Sequence, residues 1–277
     1  MRIRARSALS LLLASLAATA APPPLETVPP EAVGLSAARL GRIDGLLAEA
    51  IARKEIPGAV VLVGRHGKVV LRKAYGHRAL EPGVEPMTVD TAFDLASLTK
   101  PVATAAAVMT LVEAGRLRLG DPVVKHLPAF GEGGGERERV TVEDLLVHRG
   151  GLVADDPMDL YLGTPSEIFA RKHRTRLQNT PGKRFLYSDA GYEVLGEMVR
   201  AVAGVPLDAY ALTAVFEPLG MTQTEFRPIG KGGRLPVARI APTEKKDGVF
   251  LRGEVHDPRA HALGGVDVPL NGRRLPA

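Results

Sequence analysis

Apolar side chains recur at helical spacing near the start of the chain and in β-branched runs after it. Ser36 can cap a helix that runs to about Arg53. One face of this helix is apolar and comprises Leu40, Ile43, Leu46, Leu47 and Ile51. Two β-branched runs, Ala59 to Val63 and Val69 to Tyr75, flank a glycine-containing turn. This pattern predicts a β-hairpin.

Three more helices are predicted further along the chain. The first covers Thr99 to Glu113 and is rich in alanine. The second begins at Thr141, which can act as an N-cap, with Asp144 three residues later near the capping-box pattern. The third covers Ala190 to Ala203 and is closed by Gly204, a typical C-terminal stop.

The order of these elements predicts a mixed α/β fold of the α+β type. We expect an antiparallel sheet flanked by helices, with an inserted all-helical lobe. A single domain would cover residues 36–277, with its α/β part formed by 36–92 and 236–277 and its mainly helical lobe by 93–235. Within that lobe, 131–139 is predicted to be a flexible, charged loop that contains three consecutive glycines.

Residues 1–20 have the pattern of a secretory signal peptide. Three arginines precede an apolar run, Ala8 to Ala17, which is too short to span a bilayer. Ala18-Thr19-Ala20 is a small-residue cleavage site, and 21–35 is a predicted linker. The alternative is an uncleaved membrane anchor. We expect an exported protein, periplasmic or secreted, with no stable membrane span after cleavage.

Composition argues against nucleic-acid binding and against cysteine chemistry. Removal of the three signal arginines takes Lys and Arg from 36 to 33 against 31 acidic residues, which is close to balance. Aromatic residues are only 4% of the chain and Trp is absent, so neither charge nor stacking favours a nucleic-acid partner. The absence of Cys excludes disulfides and thiolate chemistry.

The strongest chemical feature is Ser97-Leu98-Thr99-Lys100. A serine and a lysine three residues apart share one face of a helix, about 5–6 Å apart at Cβ. Ser97 stands where the helix begins, so first-turn N–H groups and the helix dipole favour an oxyanion there. Lys100 can take the hydroxyl proton if burial lowers its pKa. The alternative is a capping serine and a solvated lysine, because so short a motif is weak alone.

A second feature, Tyr187-Ser188-Asp189, stands at the start of the third helix. A phenol near the nucleophile can relay a proton when a neighbouring cation such as Lys100 lowers its pKa. Asp189 could hydrogen-bond Lys100 and hold its orientation. The alternative is a tyrosine packed at a helix start, with Ser188 or Asp189 as the cap.

Five stretches of sequence carry a family resemblance, and they occur in the family's order. They are 93–100, 119–123 (LGDPV), 140–152 (VTVEDLLVHRGGL), 181–192 (PGKRFLYSDAGY) and 218–222 (PLGMT). Together they resemble the class C β-lactamase-related serine hydrolases, which include esterases and penicillin-binding carboxypeptidases. The resemblance covers roughly residues 57–266 and implies a β-lactamase/transpeptidase-like fold.

The resemblance also implies roles for individual residues. Ser97 would be the acylated nucleophile, Lys100 its proton partner and Tyr187 the general base. Asp189 supports them and stands where the family more usually has Asn. A carboxylate there adds negative charge beside Lys100 and should hold the lysine protonated, which shifts the role of base toward Tyr187.

Relatives carry a third active-site element, Lys or His followed by a small residue and Gly, on a strand that lines the site. This sequence has no such triplet after Val266, and His261-Ala262-Leu263-Gly264 has one residue too many. That strand would supply one of two oxyanion-hole donors, and losing one donor typically costs about 10²–10³ in rate. We therefore expect a truncated or frameshifted product that lacks the C-terminal strands.

The remaining histidines are weaker candidates. His148 could be catalytic, but a helix-end histidine hydrogen-bonded to backbone is the stronger interpretation, because the site already has a base. His256-Asp257 with His261 matches no ordinary zinc spacing. We expect no metal and no cofactor.

The function that the resemblance implies is hydrolysis of an ester or amide through an acyl-serine intermediate. The substrate would be a small ester, a β-lactam or a cell-wall peptide, and an esterase or peptidase is favoured over a dedicated β-lactamase, by analogy only. A second hypothesis is a catalytically inactive remnant or a non-catalytic protein that binds peptidoglycan. A third is a secreted structural domain in which the motifs occur by chance. The oligomeric state is not predicted.

Overall fold

A computed structural model describes residues 23–226 and 234–263, and it has the predicted mixed α/β architecture. The predicted signal peptide, the first residues of the predicted linker, residues 227–233 and the tail from 264 lie outside the described residues. The prediction about the C-terminal strands concerns that same tail.

Helices outnumber strands among the described residues. The helices are α1 (Ala37–Leu40), α2 (Arg42–Ala52), α3 (Ala106–Glu113), α4 (Val123–His126), α5 (Val142–Leu146), α6 (Pro165–Lys172), α7 (Asp189–Ala203), α8 (Leu207–Ala211) and α9 (Pro258–Leu263). The strands are β1 (Gly58–Arg65), β2 (Lys68–Ala79), β3 (Glu85–Pro86), β4 (Lys245–Lys246) and β5 (Val249–Phe250). A π-helix, Lys100–Ala105, leads directly into α3, and a second, Leu212–Phe216, follows α8.

The first predicted helix is present but divided. Ser36 caps α1 as expected, since its Oγ accepts the Arg39 N–H at 3.3 Å. The chain bends at Gly41 and continues as α2, which rests on β2 through Asp44. The carboxylate of Asp44 accepts hydrogen bonds from Lys73 Nζ at 2.8 Å and from the Tyr75 hydroxyl at 2.7 Å. None of the side chains of α2 is fully buried.

The predicted hairpin is confirmed. Strands β1 and β2 pair antiparallel, and β3 extends the sheet on the other side of β2. Gly67 completes the turn with a φ of 70°, a left-handed conformation that glycine adopts without strain. Gly58 is needed for close strand approach, because a Cβ there would lie 2.5 Å from the Tyr75 carbonyl oxygen.

The main core lies in the helical lobe, and α3, α4, α5 and α7 supply most of it. Its buried members are Ala107, Val108, Leu111, Leu117, Val123, Leu127, Phe130, Val140, Val142, Leu145, Leu152, Ala190, Val194, Leu195, Met198 and Val199. A smaller cluster joins the π-helix at 100–105 to the α8 region through Ala103, Ala211, Val215 and Phe216. Packing therefore fixes the two segments that carry Lys100 and Asp189.

The prediction of a flexible, charged loop at 131–139 is wrong at Arg137. This side chain is 1% exposed, and the segment forms two short 3₁₀ turns, Pro128–Gly133 and Arg137–Arg139. The buried guanidinium donates to the carbonyl oxygens of Phe130, Lys172 and Thr175. Burial lowers the pKa of Arg137 to about 10.

Within residues 23–226 and 234–263, no single helix combines the length and the apolar composition that a bilayer span requires. Helix α7 and the 207–216 segment meet both criteria only as a pair, with a bend of 74° between them.

Candidate active site

Ser97 lies in a tight 3₁₀ turn, Ala96–Leu98, immediately before the π-helix. The preceding residue, Ala96, has a φ of 45°, which is uncommon for a residue with a Cβ. Asp94 stabilises this turn, because its carboxylate accepts the Ala96 N–H at 2.8 Å. The turn leaves Ser97 exposed to solvent. Backbone strain of this kind is frequently found at functional positions.

Lys100 is the centre of the candidate site. Its Nζ donates to Ser97 Oγ at 3.2 Å and forms an ion pair with the carboxylate of Asp189. Burial by itself lowers the pKa of Lys100, but hydrogen bonds with Asp189 and Tyr187 outweigh it and raise the pKa. Lys100 is therefore an ammonium ion in this arrangement, which is the effect expected of a carboxylate at position 189.

Tyr187 lies on the other side of the ammonium group. Lys100 Nζ is 5.0 Å from the centre of the Tyr187 ring, which is a cation–π distance. Tyr187 is 45% exposed, so a substrate can reach this residue. The structure thus brings together all four residues singled out in the sequence, with Lys100 in contact with Ser97, Tyr187 and Asp189.

The start of α7 explains how Asp189 is positioned. Ser188 is the N-cap, since its Oγ accepts the Gly191 N–H at 3.0 Å. This leaves the Asp189 side chain, the first of the helix, available for Lys100. The capping interpretation is therefore correct for Ser188, while Asp189 makes the predicted contact with the lysine.

His148 contacts the start of α7 and the ring of Tyr187. It has a φ of 58°, and its Nδ1 accepts the Ser188 N–H at 3.0 Å. Its ring centre lies 4.5 Å from that of Tyr187 and 5.0 Å from that of Tyr192. The histidine is thus hydrogen-bonded to backbone, as its stronger interpretation states, and it packs against the candidate base.

The pKa of His148 gives a prediction about stability. Burial and the charge of Lys100 lower this pKa from its ordinary value of 6.5. As the pH falls below that value, the unfolded state takes up a proton that the folded state resists, so His148 makes the protein lose stability toward acid. We expect His148→Asn to flatten the decline in urea midpoint between pH 7 and pH 5.

His66→Asn is the matched control for that measurement. His66 lies in the exposed hairpin turn and has a similar left-handed φ of 51°, so Asn meets the same backbone demand at both positions. An unchanged pH slope in the His148 variant would contradict the prediction, as would an equal change in the His66 variant.

Two residues near the site were missed in the sequence. The Tyr192 ring centre lies 5.8 Å from Lys100 Nζ, and its hydroxyl donates to the Leu146 carbonyl at 3.0 Å. A signal for Tyr192 existed, because it stands three residues after Asp189 on one helix face. Burial and the nearby charge of Asp189 raise the pKa of Asp155. Asp155 gave no comparable signal in the sequence, because no local pattern joins it to Asp189.

The histidines near the C-terminal end of the described residues, His256 and His261, lie shortly before helix α9 and within it. Asp257 directly precedes α9, and its carboxylate accepts the N–H groups of Arg259 at 2.7 Å and Ala260 at 3.2 Å. His261, Ala262 and Leu263 lie within α9 and do not form a strand. The residues from 264 onward lie outside the described part of the chain.

The sequence model of the Beta-lactamase family matches residues 43–268. This match covers well over half of the chain and includes every residue of the candidate site. The chain belongs to the Beta-lactamase family. The family includes serine hydrolases of several kinds, among them esterases, carboxypeptidases and β-lactamases.

A curated relative from Salmonella schwarzengrund (strain CVM19633) bears the name "Putative D-alanyl-D-alanine carboxypeptidase". It is 33% identical over an alignment of 288 positions, which spans 92% of this chain and 66% of the relative. This chain therefore spans less than two thirds of the length of that relative. The whole relative's activity is accordingly not carried over to this chain.

Two solved structures are similar to the described fold. EstCE1, described as a hydrolase with promiscuous acyltransferase activity, has a TM-score of 0.64 at 30% identity, over 73% of this chain and 55% of its own. The octameric penicillin-binding protein homologue from Pyrococcus abyssi has a TM-score of 0.61 at 30% identity, over 77% and 50%. The predicted resemblance to β-lactamase-related and penicillin-binding proteins is confirmed.

Proposed function

We propose that this chain is a serine acyl-hydrolase that cleaves an ester or amide bond through an acyl-Ser97 intermediate. One observation carries the proposal: the Lys100 ammonium contacts the Ser97 hydroxyl, the Tyr187 phenol and the Asp189 carboxylate at once. A nucleophile, a candidate base and an orienting carboxylate joined in this way are the parts that acyl transfer requires.

The charge on Lys100 decides which group acts as the base. A protonated lysine cannot accept the serine proton, but it can stabilise a phenolate on Tyr187. In the proposed step, Tyr187 takes the proton from Ser97 Oγ while a bond forms between that oxygen and the substrate carbonyl carbon. The proton then passes to the leaving group as its bond to carbon breaks, and water later hydrolyses the acyl-serine.

The negative charge that develops on the substrate carbonyl oxygen needs backbone donors. The Ser97 N–H, at the start of the 3₁₀ turn and π-helix, is the donor that we propose from the described residues. The stretch 261–263 is helical and does not provide the strand that the family resemblance implies.

Apolar side chains around Ser97 favour an apolar acyl group. Leu98 is 60% exposed and Phe93 is 45% exposed on the same segment as the nucleophile. Phe185, at 65% exposure, packs edge-on against His148 beside Tyr187. Exposed apolar surface next to a candidate nucleophile is a reasonable binding surface for an acyl chain. We propose an ester as the preferred substrate, ahead of a cell-wall peptide and a β-lactam.

Turnover of three substrate classes tests this function. The full chain would be assayed with short-chain p-nitrophenyl esters, a D-Ala-D-Ala peptide and a chromogenic cephalosporin, each beside Ser97→Ala. We expect ester turnover that falls by about 10³-fold or more in the variant. Equal turnover in both proteins contradicts the proposal. No turnover of any class by the folded chain would favour the non-catalytic alternative.

The proposed function is consistent with an exported location. Family members of the penicillin-binding and β-lactamase type are typically exported. We propose that residues 1–20 direct export and that the protein acts on the outer side of the cytoplasmic membrane, where cell-wall peptides and β-lactams are found.

A further inference from the structure

The first turn of α7 makes two contacts with the Lys100 ammonium group. The carboxylate of Asp189 pairs with it, and the Tyr192 ring centre lies 5.8 Å from Lys100 Nζ. Asp189 and Tyr192 are three residues apart, so both project from one face of the helix. The Tyr187 ring, 5.0 Å from the same nitrogen, adds a second aromatic contact just before the helix begins. Two rings and one carboxylate thus surround the ammonium group, and the lysine side chain is only 14% exposed.

The hydroxyl of Tyr192 is engaged away from Lys100. It donates to the carbonyl oxygen of Leu146, the last residue of α5, at 3.0 Å. Burial raises the pKa of Tyr192, so this side chain stays a neutral phenol and keeps its hydrogen bond. Tyr192 therefore offers Lys100 the face of its ring and does not compete with Tyr187 for the role of base.

His148 connects Tyr192 to Tyr187. Its ring centre lies 5.0 Å from that of Tyr192 and 4.5 Å from that of Tyr187, with interplanar angles of 33° and 32°. The imidazole is held by the Ser188 N–H, which donates to its Nδ1 at 3.0 Å. Tyr192 in turn packs against the main core of the helical lobe. A displacement of the Tyr192 ring would therefore act on Tyr187 through His148, and on Lys100 directly.

Ring contacts affect where the ammonium group can lie and where its donors point. A cation over an aromatic face gains electrostatic attraction without using one of its N–H groups. The N–H groups of Lys100 are thereby left for Ser97 and Asp189. A lysine side chain loses considerable rotamer entropy when it is fixed in one position, so contacts that hold it before the substrate arrives favour catalysis.

We propose that Tyr192 is a positioning residue of the candidate site, whose ring holds the Lys100 ammonium group against Ser97. Through His148, the same ring also keeps Tyr187 in place. This inference rests on the proposed function, because it assigns a role in the same acylation site. Tyr192 acts through its two neighbours and is not placed in contact with the substrate.

Ester turnover by Tyr192→Leu tests this role. Leucine keeps an apolar side chain at this partly buried position and removes the ring contacts with Lys100 and His148. We expect kcat to fall by about 10- to 100-fold with KM nearly unchanged, since the catalytic groups are displaced while the substrate-binding surface is retained. Tyr192→Phe keeps the ring and loses only the bond to Leu146, so it should restore most of kcat.

Tyr210→Leu is the matched control. Tyr210 is also a partly buried tyrosine packed against the main core, and its hydroxyl hydrogen-bonds Thr110 Oγ1 at 3.1 Å. Both leucine variants should lose stability in urea, but only Tyr192→Leu should lose kcat. Equal kcat values in the two variants overturn the inference, as does a folded Tyr192→Phe that is as slow as Tyr192→Leu.

Proton NMR of the full chain with labelled lysine measures the contact without turnover and without relying on a variant of Tyr192. Lys100→Arg identifies the Lys100 signal. We expect ring currents to place the Lys100 ε-methylene protons upfield of those of the exposed Lys246, with NOE contacts to the Tyr192 ring. Coinciding signals of the two lysines, without such contacts, overturn the inference. Failure of the proposed function alone would appear as no ester turnover by the unsubstituted chain, with the shifted Lys100 signal intact.

Discussion

Replacement of Lys100 by alanine is expected to slow acylation of Ser97 by about 10²–10⁴-fold, the range in which positioned proton-transfer groups contribute to catalysis. The variant loses the Nζ contact with Ser97 and the cation that stabilises a phenolate on Tyr187. The measurement is the second-order rate of fluorophosphonate labelling at pH 7, followed by intact mass.

Lys246→Ala is the control for this variant, because Lys246 is an exposed residue in β4 and far along the sequence from the site. It should label at the rate of the unsubstituted chain. A Lys100 variant that labels within a factor of about three of that rate would contradict the role given to Lys100. Circular dichroism would show whether each variant is folded, so that a loss of rate is not mistaken for a loss of structure.

Replacement of Lys172 by alanine is expected to destabilise the fold by about 3–5 kcal/mol, the usual cost of removing one partner from a buried ion pair. The Lys172 side chain is 2% exposed and pairs with Asp156 and Glu193, whose side chains are 4% and 15% exposed. Its Nζ also donates to the Tyr161 hydroxyl at 2.9 Å. Without the lysine, two carboxylates would lie buried next to each other.

The pH dependence of this loss has a definite sign. Burial already raises the pKa of Glu193, and removal of Lys172 should raise it further. A raised pKa costs stability as the pH rises, so the difference between the variant and the unsubstituted chain should be larger at pH 7 than at pH 5. Urea unfolding at the two pH values measures it.

Lys125→Ala is the matched control for Lys172→Ala. Lys125 also pairs with an aspartate, Asp121, but the lysine side chain is 54% exposed and Asp121 keeps His126 Nε2 as a second partner at 2.8 Å. We therefore expect its removal to cost at most about 1 kcal/mol. Similar losses of stability in the two variants at pH 7 would contradict the expectation that the buried ion pairs of Lys172 with Asp156 and Glu193 stabilise the fold.

Local sequence patterns were sufficient to predict the β-hairpin, the contact between Ser97 and Lys100, and the capping box of α5. The β-branched runs predicted β1 and β2, and the three-residue spacing of Ser97 and Lys100 predicted a contact that the structure has at 3.2 Å. Thr141 and Asp144 form the predicted capping box. In each case the interacting groups lie close together in the sequence, so their spacing determines whether they can meet.

The burial of charged side chains could not be predicted from local sequence patterns. Arg137 lies among glycines and acidic residues, which favours a solvated loop, yet carbonyl oxygens from α6 and the turn after it enclose its guanidinium. Lys172 likewise stands in a polar stretch, and its partners lie 16 and 21 residues away. Tertiary packing decides such burial, and a single sequence does not encode it in any short window.

The left-handed turn before Ser97 was also unpredicted. An alanine rarely adopts a positive φ, so the sequence does not predict one at Ala96. Glycines adopt it readily, so a glycine in a turn is a usable signal for a positive φ. The Asp94 carboxylate stabilises this turn by accepting the Ala96 N–H. The contact forms only when the turn has formed, so the sequence pattern alone does not indicate it. The identity of the candidate nucleophile could therefore be predicted from the sequence, whereas the left-handed turn before it could not.

The central claim is that Ser97 is an assembled nucleophile in this chain, and covalent labelling tests it most directly. The full chain and Ser97→Ala would be treated with a fluorophosphonate, weighed intact and mapped by peptide mass spectrometry. The account predicts one added phosphonyl group, located on Ser97 and absent from the variant. A folded chain that takes up no label, or that carries its label on another residue, would contradict it.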